Sequence, residues 1–495
     1  MVIKFNKFLR EELTIQEIQA GMEDGIITSK ELIMYYLHRI AKYDQDCLKI
    51  NSVLEINPDA VFIAESLDQE RNVKGSRGPL HGIPVLLKDN IETNDSMHTS
   101  AGTIALENHI SERDAFLVEQ LRNAGAVILG KTNMTELANA MSSEMWAGYS
   151  ARGGQVKNPY GDGNLFVGGS SSGSAVAVAA NFTVLSVGTE TDASILSPAI
   201  QNSVVGIKPT VGLISRTGII PFTYSQDTAG PFARNVTDAA ILLGALTGVD
   251  TLDPATLKSD GQSLQDYTIY LNTNGLKGAR IGVFNLASNE SDEYDAELFN
   301  SAIQTLGEEG AMVIQDIEIP SFHREWSWGV PIYELKHSLD NYLSKLPPQQ
   351  PVHSFRELIE FNKSLGEKAL KYGQDNLEKR KHLPNTLRNP EYLNARLEDL
   401  YFSQEQGIDY AINKYNLDAI LFPSYIGSTI CAKAGYPSIA IPAGYMKSGK
   451  PFGITFAGSV FSEGILIKFA YAFEQATKHR KNPCLIGKND GGFME

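Results

Sequence analysis

The stretch Val167-Gly-Gly-Ser170-Ser171-Ser172-Gly-Ser174, with Gly188-Thr189-Glu190-Thr191-Asp192-Ala193-Ser194 after it, decides how the chain is read. Between the two runs, Ala175-Val-Ala-Val-Ala-Ala180 has the small-residue pattern of a helix, and Thr183-Val-Leu-Ser-Val187 that of a short buried strand. The order loop, helix, strand, loop predicts that both serine-bearing loops lie at the same end of a sheet. A serine on a tight glycine-rich turn has a reachable hydroxyl beside unpaired backbone N–H groups, and acyl transfer needs both. A Gly/Ser run can also be a flexible linker or a phosphate cradle. The apolar, regularly patterned segments that follow at once argue against the linker. The cradle lacks its closing Lys-Ser/Thr, because Gly173 is followed by Ser174 and Ala175.

A third stretch, Gly82-Ile-Pro-Val-Leu-Leu-Lys88-Asp89-Asn90, ends an apolar strand pattern on a lysine. Burial disfavours an ammonium ion and lowers its pKa, which makes a base of the amine. Together the three stretches resemble the amidase signature family, whose mechanism is a Ser–cis-Ser–Lys triad. The resemblance spans residues 10–480 approximately and is densest over 78–235.

The resemblance implies Lys88 as base, Ser170 as bridging serine after a cis Gly169–Ser170 bond, and Ser194, 24 positions further on, as nucleophile. It also implies oxyanion donors from the backbone N–H groups of Thr191, Asp192, Ala193 and Ser194, with Ser171 and Thr189 orienting Lys88. The implied fold is α/β, the amidase signature fold: a large twisted mixed β-sheet flanked by helices on both faces. A single domain over 1–495 is expected, with its core about 60–250 and 415–480, and a variable helical substrate-side region about 322–410. No cofactor and no metal is expected.

This chain departs from the family near Ser194. The family commonly has Gly-Gly before the nucleophile and Ile-Arg after it; here Asp192-Ala193 precede and Ile195-Leu196 follow. Ala193 puts a Cβ beside the oxyanion position, where it narrows the pocket or strains the turn if that position needs positive φ. Asp192 brings a carboxyl to the acyl pocket, either to repel anionic groups or to bond a neighbouring loop. The runs Thr189-Glu-Thr-Asp192, Lys208-Pro-Thr-Val-Gly-Leu-Ile-Ser-Arg216 and Gly218-Ile-Ile-Pro221 are most similar to the peptide amidase branch. That likeness implies release of ammonia from peptide C-terminal amides or small carboxamides. Two alternatives stay open: the glutaminase subunit of a tRNA-dependent amidotransferase, and a non-catalytic binding protein on the same scaffold. A Ser-His-Asp hydrolase is disfavoured, because Gly-x-Ser-x-Gly does not surround Ser194.

Composition bounds the rest. The chain has 495 residues, 42% hydrophobic and 20% charged, which describes a globular protein with ample core. A formal charge of −15 argues against an exposed nucleic-acid track, which draws on clustered Lys and Arg. Cys47, Cys431 and Cys484 are far apart and form neither a disulfide framework nor a zinc pattern. No signal-peptide pattern opens the chain and no run of 18 apolar residues crosses a membrane, so a cytoplasmic location is expected. The expected partners are a small-molecule or peptide amide, with no nucleic acid and no membrane, and a homodimer is the assembly left open.

Along the chain, Thr14-Ile-Gln-Glu17 and Thr28-Ser-Lys-Glu31 read as capping boxes. The second opens a helix bearing Leu32, Ile33, Tyr36, Leu37 and Ile40. His81 reads as structural, since no acid or serine is patterned around it, and Lys131 is structural in the family pattern. A helix over 115–124, strands over 126–130 and 204–208, and a helix over 236–246 are expected, with 226–231 as loops folding back over the site. A polar connection over 250–278 precedes a β-α-β unit over 278–320. In the helical stretch that follows, Trp326 and Trp328 are assigned to packing. Strands over 417–423, 435–442 and 451–458 and a helix over 463–478 close the chain.

Overall fold

The structure is a computed structural model and describes residues 7–10, 12–161, 163–285 and 294–485. Its centre is an eleven-stranded sheet. The strands are β1 (Val53–Ile56), β2 (Pro84–Lys88), β3 (Val127–Thr132), β4 (Leu185–Glu190), β5 (Val205–Lys208), β6 (Thr228–Ala233), β7 (Arg280–Val283), β8 (Met312–Ile314), β9 (Ala419–Pro423), β10 (Ser438–Tyr445) and β11 (Pro451–Ala457). They lie in the order β1-β3-β2-β4-β6-β5-β10-β11-β9-β7-β8. The sheet is mixed: β2 runs parallel to β3 and β4, whereas β6 is antiparallel to both β4 and β5.

Every residue of β2, β3 and β4 is buried, as expected where helices cover both faces of a sheet. Along β10, Ile439 and Ile441 join the hydrophobic cluster of the Val236–Leu246 and Glu463–Thr477 helices. Ala440 joins the cluster that holds Ala175 and Ala179 of the Ser172–Ala179 helix and Leu196 of the Leu196–Gln201 helix. Successive strand residues point to opposite faces, so these clusters lie on the two sides of the sheet.

Both capping boxes form: the Thr14 and Thr28 side chains accept from the backbones of Glu17 and Glu31, which reach back in turn. The second helix stops at Arg39 and widens into a π-helical turn over Ile40–Cys47, an extension the apolar spacing does not reveal. His81 is buried, with Nε2 2.9 Å from the Leu67 carbonyl, which is a structural position. The β-α-β unit is present as β7, the Ala296–Glu308 helix and β8, with the strands parallel.

One expectation is corrected. Residues 228–231, read as loop, belong to β6 in the middle of the sheet. Pro231 argues against a central strand because it has no N–H to donate. Pro231 faces Val187 of β4, and the ladder between β6 and β5 stops at Phe232 opposite Gly206, although β5 itself runs on to Lys208.

The helices Gly329–Leu343 and Phe355–Leu365 form a separate hydrophobic cluster with Ala101, Met134 and Leu137 and so roof one end of the sheet. No helix among the described residues is long and apolar enough to cross a membrane.

Candidate active site

The parallel register of β2 and β4 sets Leu86 opposite Ser186 and Leu87 opposite Val187. Lys88 therefore ends its strand level with Gly188, beside Thr189. The serine loop reaches the same strand ends because the Ser172–Ala179 helix packs closely beneath them. At Gly173 a Cβ would lie 2.3 Å from the Asn133 carbonyl oxygen and 2.4 Å from that of Ser52, so only glycine fits. At Gly188 it would lie 2.7 Å from Ser171 Oγ. The Gly169–Ser170 peptide bond is cis.

Lys88 is fully buried. Its Nζ lies 2.8 Å from Ser170 Oγ, 2.9 Å from Ser171 Oγ, 2.9 Å from Thr189 Oγ1 and 3.1 Å from the Thr189 carbonyl oxygen. Asn90 Nδ2 donates to the same Thr189 hydroxyl at 3.0 Å. Burial lowers the Lys88 pKa to about 7, against the opposing pull of Asp227 and Glu190. Burial also raises Glu190 to about 7 and Asp227 to about 6. Glu190 Oε2 accepts from the N–H groups of Ile195 (2.6 Å) and Leu196 (3.0 Å), so the end of β4 holds the turn that carries Ser194.

Ser194 and Ser170 line one cavity of about 940 Å³. Ser194 Oγ donates to the Asp192 carbonyl at 3.4 Å, and no hydrogen bond among the described residues joins it to the Ser170 hydroxyl. The two loops are tied through the backbone, the Ser171 N–H donating to the Ser194 carbonyl at 3.3 Å. The N–H groups of Thr191, Asp192, Ala193 and Ser194 donate to no acceptor among the described residues. The structure thus brings Lys88, Ser170, Ser171 and Thr189 into contact and sets Ser194 in the same cavity with its hydroxyl turned aside.

Asp192 bonds a neighbouring element: its Oδ2 accepts from Thr429 Oγ1 at 2.8 Å. Ala193 has φ 60°, the left-handed region that favours glycine. An L-residue there costs about 1–2 kcal/mol, while glycine gives up about 0.5–1 kcal/mol through its freer unfolded chain. Ala193→Gly is expected to raise stability by up to about 1 kcal/mol, read as a higher denaturation midpoint with an unchanged slope. A lower midpoint would contradict the strain at this turn.

Lys131 Nζ donates to Thr99 Oγ1 at 2.9 Å and to the Ile91 carbonyl, and it does not line the cavity. Trp326 and Trp328, read as packing residues, both line it. Trp328 is 65% exposed, and Trp326 lies under Lys433 Nζ at 5.6 Å from the ring centroid. Which face an aromatic presents depends on distant elements, and here those elements leave room beside both rings. Asn90 and Glu190 sit inside the runs quoted for their lysine and serines, and only the neighbours they meet in space give them a role. Asp227 lies in the 226–231 run expected over the site, but the sequence alone assigns it no role there; its Oδ1 accepts from Thr191 Oγ1 at 2.5 Å.

A second cavity of about 640 Å³ lies against the other side of this cluster, lined by Asn90, Thr189 and Asp227, and shares Ala138, Thr191 and Phe222 with the first. No group of three or more His, Cys, Asp or Glu among the described residues is placed to hold a metal ion.

Four likenesses to known proteins accompany this geometry. The family model described as Amidase matches residues 31–467. A probable amidase of Arabidopsis thaliana is 41% identical over 491 residues, covering 97% of this chain and 93% of that protein. The native peptide amidase of Stenotrophomonas maltophilia has a solved structure that superposes with a TM-score of 0.91 at 42% identity, covering 97% of this chain and 99% of that one. A glutamyl-tRNA(Gln) amidotransferase subunit of Thermoanaerobacter pseudethanolicus is 33% identical over 500 residues, covering 96% of this chain and 98% of that protein.

Proposed function

Because the chain belongs to the amidase family and is an amide hydrolase, we propose that it cleaves carboxamides through Ser194, Ser170 and Lys88 by way of an acyl-enzyme. The observation that carries this reading is the Lys88 amine. It is buried, held near neutrality at a pKa of about 7, and bonded to hydroxyls and a carbonyl. An amine in that state can accept a proton at neutral pH.

A rotation about the Cα–Cβ bond of Ser194 turns its hydroxyl from the Asp192 carbonyl toward Ser170. Ser194 Oγ then attacks the amide carbon, passing its proton to Ser170 as the Ser170 proton moves to Lys88. The negative oxygen of the tetrahedral intermediate is met by the N–H groups of the 191–194 turn, donors with no competing acceptor among the described residues. The proton returns by the same path to the leaving nitrogen, the C–N bond breaks, and ammonia departs from an acyl ester on Ser194. Water attacks that ester under the same base, releasing the carboxylic acid and restoring the hydroxyl.

Peptide C-terminal amides and small carboxamides are the proposed substrates. The likeness to a peptide amidase along nearly the whole chain supports this, as does a cavity whose walls include Phe166, Phe222, Trp326 and Trp328. The test is ammonia release from peptide amides, aliphatic amides and glutamine by one purified sample. Peptide amides are expected to give the highest kcat/KM. Turnover confined to glutamine, and dependent on added partner subunits, would transfer the chain to the amidotransferase role.

A further inference from the structure

The cavity that holds Ser194 is lined by three cations, Lys379, Arg380 and Lys433, and one acid, Asp192. Two of the cations are neutralised where they stand. Lys379 Nζ pairs with Asp375 at 2.6 Å and Lys433 Nζ with Asp399 at 2.8 Å. Arg380 is different. It ends the Asp375–Arg380 helix, is partly buried, and makes no ion pair among the described residues. Its Nη1 donates to the Asn376 carbonyl, and its Nε is buried with no partner.

The nearby acids make no hydrogen bond to it, although the charge of Asp375 acts on it. Asp375 is engaged by Ser142, by the backbone and side chain of Ser143, and by Lys379. Asp192 accepts from Thr429 through Oδ2, and its Oδ1 is buried with no partner of its own. A guanidinium carries five donors in a planar fork that matches a carboxylate, so an unpaired one in a substrate cavity has most of its bonding capacity unused. Burying such a charge without a counter-ion is costly, and a ligand carboxylate removes that cost on binding.

We propose that Arg380 is a specificity-determining residue that binds a carboxylate on the acyl side of the substrate. The preferred peptide amides are then those with an acidic side chain upstream of the terminal carboxamide. This inference rests on the peptide-amide reading above and narrows its substrate class.

The experiment compares peptide amides that differ only by Glu against Gln, with the pair moved stepwise back from the C-terminal residue. At one position the wild-type enzyme is expected to favour Glu by about tenfold in kcat/KM, chiefly through KM, since a charge-assisted hydrogen bond is of that order. The preference should shrink as salt is added. Arg380→Gln should bring the Glu/Gln ratio to about one, and Arg380→Glu should make a Lys peptide better than its Glu counterpart.

A wild-type ratio near one at every position would overturn the proposal, as would an undiminished ratio in Arg380→Gln. If that variant does not fold, the wild-type position scan and its salt dependence decide alone. Failure to cleave any peptide amide would remove both the function and this inference. Cleavage without acidic preference would remove the inference only.

Discussion

Ser194→Ala is expected to lower kcat by roughly 10⁴- to 10⁶-fold on every amide the enzyme accepts, the usual scale for loss of a serine nucleophile. The fold should survive, because the Ser194 hydroxyl makes a single long hydrogen bond of 3.4 Å, to the carbonyl of the partly buried Asp192. The check is twofold: steady-state ammonia release, and intact-mass measurement after treatment with a fluorophosphonate. Wild-type protein should gain one adduct, mapped to Ser194, and the variant none. Undiminished turnover in a well-folded Ser194→Ala protein would end the assignment of this residue as nucleophile, and with it the proposed acyl-enzyme.

Lys88 carries the second large effect. Lys88→Met roughly keeps the side-chain volume inside a fully buried site and removes the base, so turnover should fall by several orders of magnitude; the buried Ser170 hydroxyl also loses its bond to Nζ, so the denaturation midpoint should drop as well. The pH dependence is the sharper readout. An amine is neutral above its pKa, so wild-type kcat/KM should rise with pH and level off above about 7. In the variant's residual activity, followed with an activated ester, that acidic limb should vanish. Glu190 near 7 and Asp227 near 6 titrate in the same interval. A limb that persists without the lysine would therefore belong to one of these carboxylates, and the proton path would have to be redrawn through it.

The runs around Lys88, Ser170 and Ser194 show how far local reading carries. Serines flanking a helix-and-strand unit can be placed at one sheet end without coordinates, and the family resemblance adds the lysine that closes an apolar strand. The parallel register of β2 and β4 then sets Lys88 level with Gly188. Local patterns failed at β6, where Pro231 suits a loop yet lies in a central strand whose ladder with β5 stops at Phe232. It also passed over Trp328 and Arg380, because a side chain's use in a cavity depends on what the opposite wall leaves empty.

By itself the sequence determined the capped helices, the buried strands and the nearness of the two serine loops, while Lys88 joined them only through the family resemblance. Those features follow from backbone periodicity, capping and chain connectivity, which act over a few residues. Tertiary structure alone decided how far burial lowers the Lys88 pKa, the bond from Thr429 to Asp192 across 237 positions, and the unpaired guanidinium of Arg380. Desolvation and pairing are set by whichever distant segments close over a group, and no stretch of the chain contains that information on its own.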